Sequence, residues 1–310
     1  MTKIEWVRGP DGSEGLSWNA LRAIRIDEKG KRRSANHCEH VNNACKFCYA
    51  DPLNARLGGL PFKPGHRKDY TFEIDERKLI EPLRRRKPTR IFVESMSDAF
   101  GEWWPDDFID KLYAVMAQCP QHTFINLSKR PERRRRYASD PNTRRRVVEQ
   151  ACSIDPGLRT MPEPMPWPLS NVIEGTSVSC QEEADEFVPI LLDTPAALRV
   201  VSAEPLLGPI DFRNLQGNTL DALHGIDFED IGDIRDAGDL GKTKQLPRLD
   251  WIIVGGESGP KARPFDTDWA RSIIAQCRTA GVACFVKQLG SLPYTDGRAM
   301  HSLPRGKHGD

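Results

Sequence analysis

Short runs of β-branched and apolar residues ending in glycine or a polar side chain recur along this chain. Most are followed by a stretch in which apolar residues return at helical spacing. Residues 16–26 form the first run, followed by the polar stretch 29–34 and, beyond a loop with three cysteines, a predicted helix over 51–57. Residues 90–94 predict the next strand. Pro105 and Asp106 then open a helix whose apolar face is Phe108, Ile109, Leu112, Val115 and Met116, as far as Cys119. A strand over 123–127 follows, and Pro131 is placed to begin a single helix running to Glu149. Further strands are expected over 171–178, 198–203, 249–254 and 283–287, with helices over 182–192 and 268–279.

Alternating strands and helices predict an α/β fold of six or seven βα units, either a closed or partial TIM-like barrel or an open doubly wound sheet. Both architectures put active residues at the carboxyl ends of strands. The nucleotide fingerprints of the doubly wound class are absent. The run GGESG at 255–259 lacks the lysine and serine of a phosphate loop and the spacing of a dinucleotide fingerprint. The expectation is therefore one barrel domain, a partial (β/α)6–7 barrel, over 1–290. It carries an insertion over 211–248 before the sixth strand, acidic around 227–239, and ends in a mobile tail over 291–310.

Composition narrows the classes. The chain has 310 residues, 38% hydrophobic and 29% charged, which is enough apolar material for a core and argues against disorder. A net charge of +1 gives no global attraction to nucleic acid, so any basic surface is local, and arginine is concentrated between Arg84 and Arg146. No opening segment has the apolar core of a signal peptide, and no stretch approaches the roughly 20 apolar residues of a membrane span, so a cytoplasmic protein without a membrane partner is expected. Of eight cysteines, Cys119, Cys152, Cys180, Cys277 and Cys284 are scattered and are expected to be small, mostly buried apolar residues.

The other three share one loop. In NHCEHVNNACKFCYA the spacing is C-x6-C-x2-C, and the two residues between Cys45 and Cys48 let both sulfurs turn towards one metal centre. Three thiolates from Cys38, Cys45 and Cys48 on a 4Fe-4S cluster leave one iron open to a small molecule. The alternative is a closed zinc site with His37 or His40 as fourth ligand; otherwise both histidines are expected to be solvated.

A three-cysteine loop after the first strand of a βα series, with Tyr49 beside the last cysteine, resembles the radical S-adenosylmethionine (SAM) superfamily, although its usual spacing is C-x3-C-x2-C. IEW at Ile4, CKFCYA at Cys45, ESMSDAF at Glu94, HTFINLSKRPER at His122, VSAEPLLGP at Val200 and IIVGGESGPKARP at Ile252 together resemble an uncharacterised family of phage and prophage-borne three-cysteine-motif proteins. The resemblance implies a barrel of radical SAM type, a 4Fe-4S cluster, SAM as cofactor, a protein that delivers electrons, and a substrate that the motifs do not identify. It places Glu94, Ser95, Ser97 and Asp98 at the second strand end, where the amino group of SAM is received. Lys129 or Arg130 would meet its carboxylate, Ser177 or Ser179 its ribose, and Gly255 and Gly256 its adenine. Tyr49, Ser202, Glu204 and Glu257 complete the expected cofactor set.

Two further features bear on partners. Arg133 through Arg146 fall in the one helix predicted after Pro131, a candidate face for nucleic acid, with a solvated helix face as the plain alternative. Trp103 and Trp104 are expected to supply core packing, at least one of them. Three functions stay open: a radical SAM-type enzyme acting on a nucleic acid, a phage or host protein or another substrate; a zinc-stabilised module that binds nucleic acid or protein without catalysis; and a zinc hydrolase. All of them require the three sulfurs to converge.

Overall fold

The computed structural model describes residues 4–9, 11–154, 165–228, 244–259 and 261–300. Two compact units divide the chain, the first comprising Met1–Thr176 with Ile190–Val200 and the second Ser177–Pro189 with Val201–Asp310. Along the first run β1 (Leu16–Trp18), β2 (Leu21–Ile26), β3 (Arg32–Ala35), α1 (Ala50–Arg56), β4 (Thr71–Ile74), α2 (Glu76–Leu79), β5 (Arg90–Val93), α3 (Asp106–Ala117), β6 (Thr123–Ser128), α4 (Pro131–Ser139), α5 (Thr143–Ser153) and β7 (Val172–Ser177). Then follow α6 (Gln181–Asp193), β8 (Leu198–Ala203), β9 (Leu220–Asp221), β10 (Ile226–Asp227), β11 (Lys244–Gln245), β12 (Trp251–Gly255), β13 (Phe265–Asp266), α7 (Thr267–Ala280), β14 (Ala283–Gln288), β15 (Pro293–Thr295) and β16 (Arg298–Ala299).

The main sheet has seven strands in the order β1-β5-β6-β7-β8-β12-β14. That order follows the chain without the reversal that defines a doubly wound sheet, and is consistent with the expected partial barrel. β5, β6, β7 and β12 are mostly buried, as parallel strands covered on both faces must be, whereas β14, at the edge, has no buried residue.

The run 16–26 is not one strand. β1 pairs with β5 in the parallel sheet, whereas β2 leaves it and pairs antiparallel with β3 and β4. The chain turns at Asn19 and Ala20, where the Glu94 carboxylate Oε1 accepts from the N–H groups of Ala20 (2.7 Å) and Leu21 (3.0 Å). Two backbone donors are therefore satisfied by a side chain, which ends the strand pairing there.

The helix expected from Pro131 to Glu149 is also two. Pro141 disfavours a helical conformation at Asp140, which is extended (ψ 120°), so α4 stops and α5 begins after Asn142. Helix α3 begins as anticipated, with Asp106 and Asp107 in its first turn, where negative charge meets the exposed N–H groups, and it buries Ile109, Leu112, Val115 and Met116.

Under α3 and α4 lies a buried polar cluster. Arg134, with no exposure, donates to the carbonyls of Gly175 (2.6 Å) and Asn126 (3.4 Å) and pairs with Glu174 at 3.4 Å. The Tyr113 hydroxyl donates to the other Glu174 oxygen, and Asn126 donates to that hydroxyl at 3.3 Å. Burial raises the Glu174 carboxyl pKa against the pull of Arg134.

In the second unit the expected insertion contributes a small antiparallel sheet, β11-β10-β9; most of its acidic stretch lies outside the described residues. The expected tail is not wholly irregular: β15 and β16 form a hairpin, and β15 pairs parallel with β13. Residues 301–310 lie outside the described residues. Helix α7 starts on Asp266, whose side chain accepts from the Asp268 N–H (2.9 Å), and ends at Gly281 in the left-handed conformation. Of the scattered cysteines, Cys119 and Cys277 are buried as expected, but Cys152 is exposed and Cys180 and Cys284 are half-buried.

Replacing Arg134 with alanine leaves the Glu174 carboxyl buried without its charge partner, and urea unfolding is expected to show a loss of about 3–5 kcal/mol. Arg145→Ala, at an exposed pair with Glu149, is expected to cost less than about 0.5 kcal/mol in the same experiment.

Candidate functional site

The cysteine loop leaves β3 and returns through α1, so it belongs to the connection between β1 and β5, the first two strands of the parallel sheet. Asn54, fully buried, clasps both sides of this excursion: its Oδ1 accepts from the Asn36 N–H (2.8 Å) and its Nδ2 donates to the Leu60 carbonyl (3.1 Å). Residues Asn43–Phe47 form a 3-10 turn that carries Cys45, and Cys48 precedes α1, whose Ala50 and Asp51 N–H groups face its sulfur. Two side chains tie the loop to the end of β5. Ser97 donates to the His37 carbonyl (2.6 Å), and Tyr49 donates to the Ser95 carbonyl (2.6 Å).

Behind the loop stands an ion pair. Asp98 accepts from the Arg130 guanidinium (2.9 Å) and from the N–H groups of Lys129 (3.0 Å) and Phe100 (3.0 Å). Burial opposes ionisation of Asp98, but the Arg130 charge and these bonds win and hold its pKa below the usual carboxylate value. Arg130 also donates to the Glu39 carbonyl (3.0 Å), reaches the Cys38 sulfur and stands 4.7 Å from the centre of the Trp103 ring. Arg67 holds the Glu39 carboxylate with two bonds of 3.1 and 2.9 Å, and lies 5.6 Å from the same ring.

The three sulfurs lie within one another's field. Burial pushes the Cys38 thiol up to about 12, opposed by Arg130 and reinforced by Asp98, Cys48 and Cys45. Burial also raises Cys48, against the pull of its backbone donors and Lys129. Among the described residues, however, no group of three or more His, Cys, Asp or Glu side chains is gathered closely enough to hold a metal ion. A metal bound here would have to draw the sulfurs together and displace their protons.

His37 is not solvated as expected. It is fully buried, edge-on to Trp103 at 4.8 Å with Tyr70 at 5.3 Å and Phe72 at 5.8 Å, and burial lowers its pKa so that the neutral ring is favoured. His40 is partly exposed, yet its Nε2 is buried without a hydrogen bond, 4.0 Å from Asp51. Trp103 and Trp104 are both core residues.

Glu94 is engaged on one oxygen only. Its Oε1 holds the β1–β2 turn, its Oε2 is buried without a hydrogen bond, and its backbone is left-handed (φ 47°), a conformation that costs a residue other than glycine about 1–3 kcal/mol. Burial raises its carboxyl pKa from 4.5 to about 8.

The remaining candidates belong to the second unit. Ser179 is occupied at the start of α6, its N–H and hydroxyl both donating to Glu183 Oε2 at 2.8 Å, while Ser177 is buried at the end of β7. Ser202 donates to Glu204 (3.2 Å), which pairs with Lys287 at 3.0 Å. A Cβ at Gly255 would sit 2.5 Å from Glu204 Oε1, so the space this glycine leaves is filled by that carboxylate. At Gly256 a Cβ would meet the Leu289 carbonyl at 2.5 Å. Glu257 is held by Arg263 through three bonds of 2.8–3.0 Å. At both glycines, close contacts within the unit account for the absence of a side chain.

The arginine run is extensively paired. Arg133 donates to the carbonyls of Gly101 and Trp104 and pairs with Asp106; Arg135 pairs with Asp193, and Arg146 with Asp110 and Asp140. Arg136 and Arg145 remain largely exposed, at 69% and 67%. The sequence did not single out Glu39, Arg67 or Arg263. Glu39 had a visible signal in its place beside Cys38, and Arg263 in lying within the IIVGGESGPKARP motif.

No helix among the described residues is long and apolar enough to cross a membrane. One family, described as "Protein of unknown function (DUF5131)", matches residues 33–308, a span that contains every candidate site residue. No curated protein and no solved structure matches the chain.

The buried Glu94 predicts a pH dependence. The folded state keeps the proton up to about pH 8, whereas an unfolded carboxyl releases it near 4.5, so between these values the folded state binds more protons and its stability falls as pH rises. Glu94→Gln is expected to flatten that decline, read as urea midpoints across the window; an unchanged slope would assign it to other groups.

Proposed function

We propose that this chain, which belongs to the DUF5131 family of proteins of unknown function, is a radical SAM-type enzyme in which Cys38, Cys45 and Cys48 bind a 4Fe-4S cluster. One observation carries the reading: three cysteines of a single loop share one electrostatic neighbourhood, between the first two strands of a sequentially ordered parallel sheet, with Arg130 acting on Cys38 and Lys129 on Cys48. These cations oppose, without outweighing, the burial that raises both thiols, and a metal would have to displace the remaining protons. Cys38, Cys45 and Cys48 would hold the cluster, which would supply an electron for reductive cleavage of SAM.

The chain's own residues bind and orient. Asp98 has its acceptors taken by Arg130 and by backbone donors, so its work is to fix Arg130 beside Cys38. Glu94 keeps a buried carboxyl oxygen without a partner, a group suited to an ammonium such as the amino group of SAM. Its carboxyl is protonated at neutral pH and would ionise as the ammonium arrives. Tyr49 and Ser97, bonded to the β5 end and to His37, anchor the loop. A nucleic acid or a phage or host protein as substrate, a protein electron donor and a cytoplasmic setting belong to the same proposal.

The Nε2 of His40, buried without a hydrogen bond, favours a second reading, a closed Cys3His zinc site in a binding module. Anaerobic reconstitution separates the two. The first reading expects about four irons per chain, brown colour and 5′-deoxyadenosine on adding SAM and dithionite; a colourless protein with one zinc supports the second. A loaded cluster that leaves SAM intact overturns the enzyme. Cys38→Ser is expected to lower iron content and abolish cleavage, and unchanged cluster spectra would remove Cys38 from the ligand set.

A further inference from the structure

Two cysteines outside the loop face each other in the second unit. Cys277 lies in the last turn of α7 and is 1% exposed; Cys284 is the second residue of β14 and is half-buried. The connection is short and closed. Gly281 takes the left-handed conformation (φ 65°), and the Val282 N–H returns to the Cys277 carbonyl at 2.9 Å, which directs β14 back along the helix it has left. Cys284 is also fixed laterally, in register with Ile252 of β12. The two thiols are close enough for each to act on the other's ionisation, and both are free.

We propose that Cys277 and Cys284 form a redox-active dithiol that a hydroperoxide converts into an intrachain disulfide. The division of labour follows from their surroundings. The Cys277 S–H stabilises a Cys284 thiolate and lowers its pKa, while this interaction and burial raise Cys277. Cys284, the more accessible of the two, is therefore the nucleophile. Its thiolate attacks one oxygen of the hydroperoxide ROOH, the O–O bond breaks, and a sulfenic acid forms with release of the alcohol ROH. The Cys277 sulfur then attacks the Cys284 sulfur; the S–S bond forms as the S–O bond breaks, and the hydroxyl leaves with the Cys277 proton as water. In balance, two thiols and ROOH give a disulfide, ROH and water, and the peroxide takes up the two electrons.

The sequence between the cysteines supplies the assay, since Arg278 divides them for trypsin. The intact chain is treated with hydrogen peroxide, blocked with iodoacetamide and digested without reductant. The expected product is the peptide Ser272–Arg278 joined to Thr279–Lys287, separating on reduction. In Cys277→Ala, the Cys284 sulfenic acid is expected to persist and be trapped by dimedone, and alkylation of Cys284 at neutral pH to slow several-fold as the donor is lost. The proposal is overturned if both peptides emerge separately alkylated, if Cys284 proceeds to the sulfinic acid in the unaltered chain, or if either cysteine is joined instead to one from the loop. Circular dichroism of the variant identifies loss of folding; in that event the peptide result on the unaltered chain decides alone.

Discussion

The excursion that carries the cysteines depends on a carboxyl group where a sheet would ordinarily continue. Glu94 extends the β1–β5 ladder through its own N–H to the Trp18 carbonyl (2.8 Å), then turns left-handed and places Oε1 against the Ala20 and Leu21 donors. Those bonds offset a strained backbone and a buried acid, and they direct the chain out of the parallel sheet into β2, β3 and the loop. One residue thereby couples the geometry of a strand end to the excursion that carries Cys38, Cys45 and Cys48.

Much of this fold was legible in the periodicity. Residues 198–203 match β8 in full, and Pro105 with Asp106 marked the start of α3, because buried parallel strands and capped amphipathic helices depend on local pattern. Two boundaries were hidden for different reasons. Pro141 stood in plain view inside a helical pattern, whereas the break at Asn19 and Ala20 is imposed by Glu94, far along the chain, and no local rule contains it. The hairpin of β15 and β16 was obscured by a polar composition that short surface strands share with mobile ends.

The site was legible in part. The cysteine spacing and the polar strand ends pointed to residues that do share a neighbourhood in the first unit, but not to how they are used. Asp98 and Arg130 neutralise each other, Ser179 caps a helix, and Glu204 fills the space left by Gly255. A polar residue at a strand end satisfies a neighbour before it meets a ligand, and only the hydrogen-bond inventory tells those cases apart. By that measure Glu94 stands out. The arginines show the same principle in reverse, since a run that looks like an anionic binding face in one dimension is distributed in three among carbonyls and carboxylates.

Trp103 sits edge-on to His37 and within 4.7 and 5.6 Å of two guanidinium groups, one of them bound to Asp98 and in reach of Cys38. Indole fluorescence is sensitive to adjacent charge, so the chain carries its own optical probe beside the loop. Subtracting the emission of a phenylalanine variant at this position isolates that signal from the other tryptophans, and a change of charge beside the cysteines becomes observable in solution without a dye.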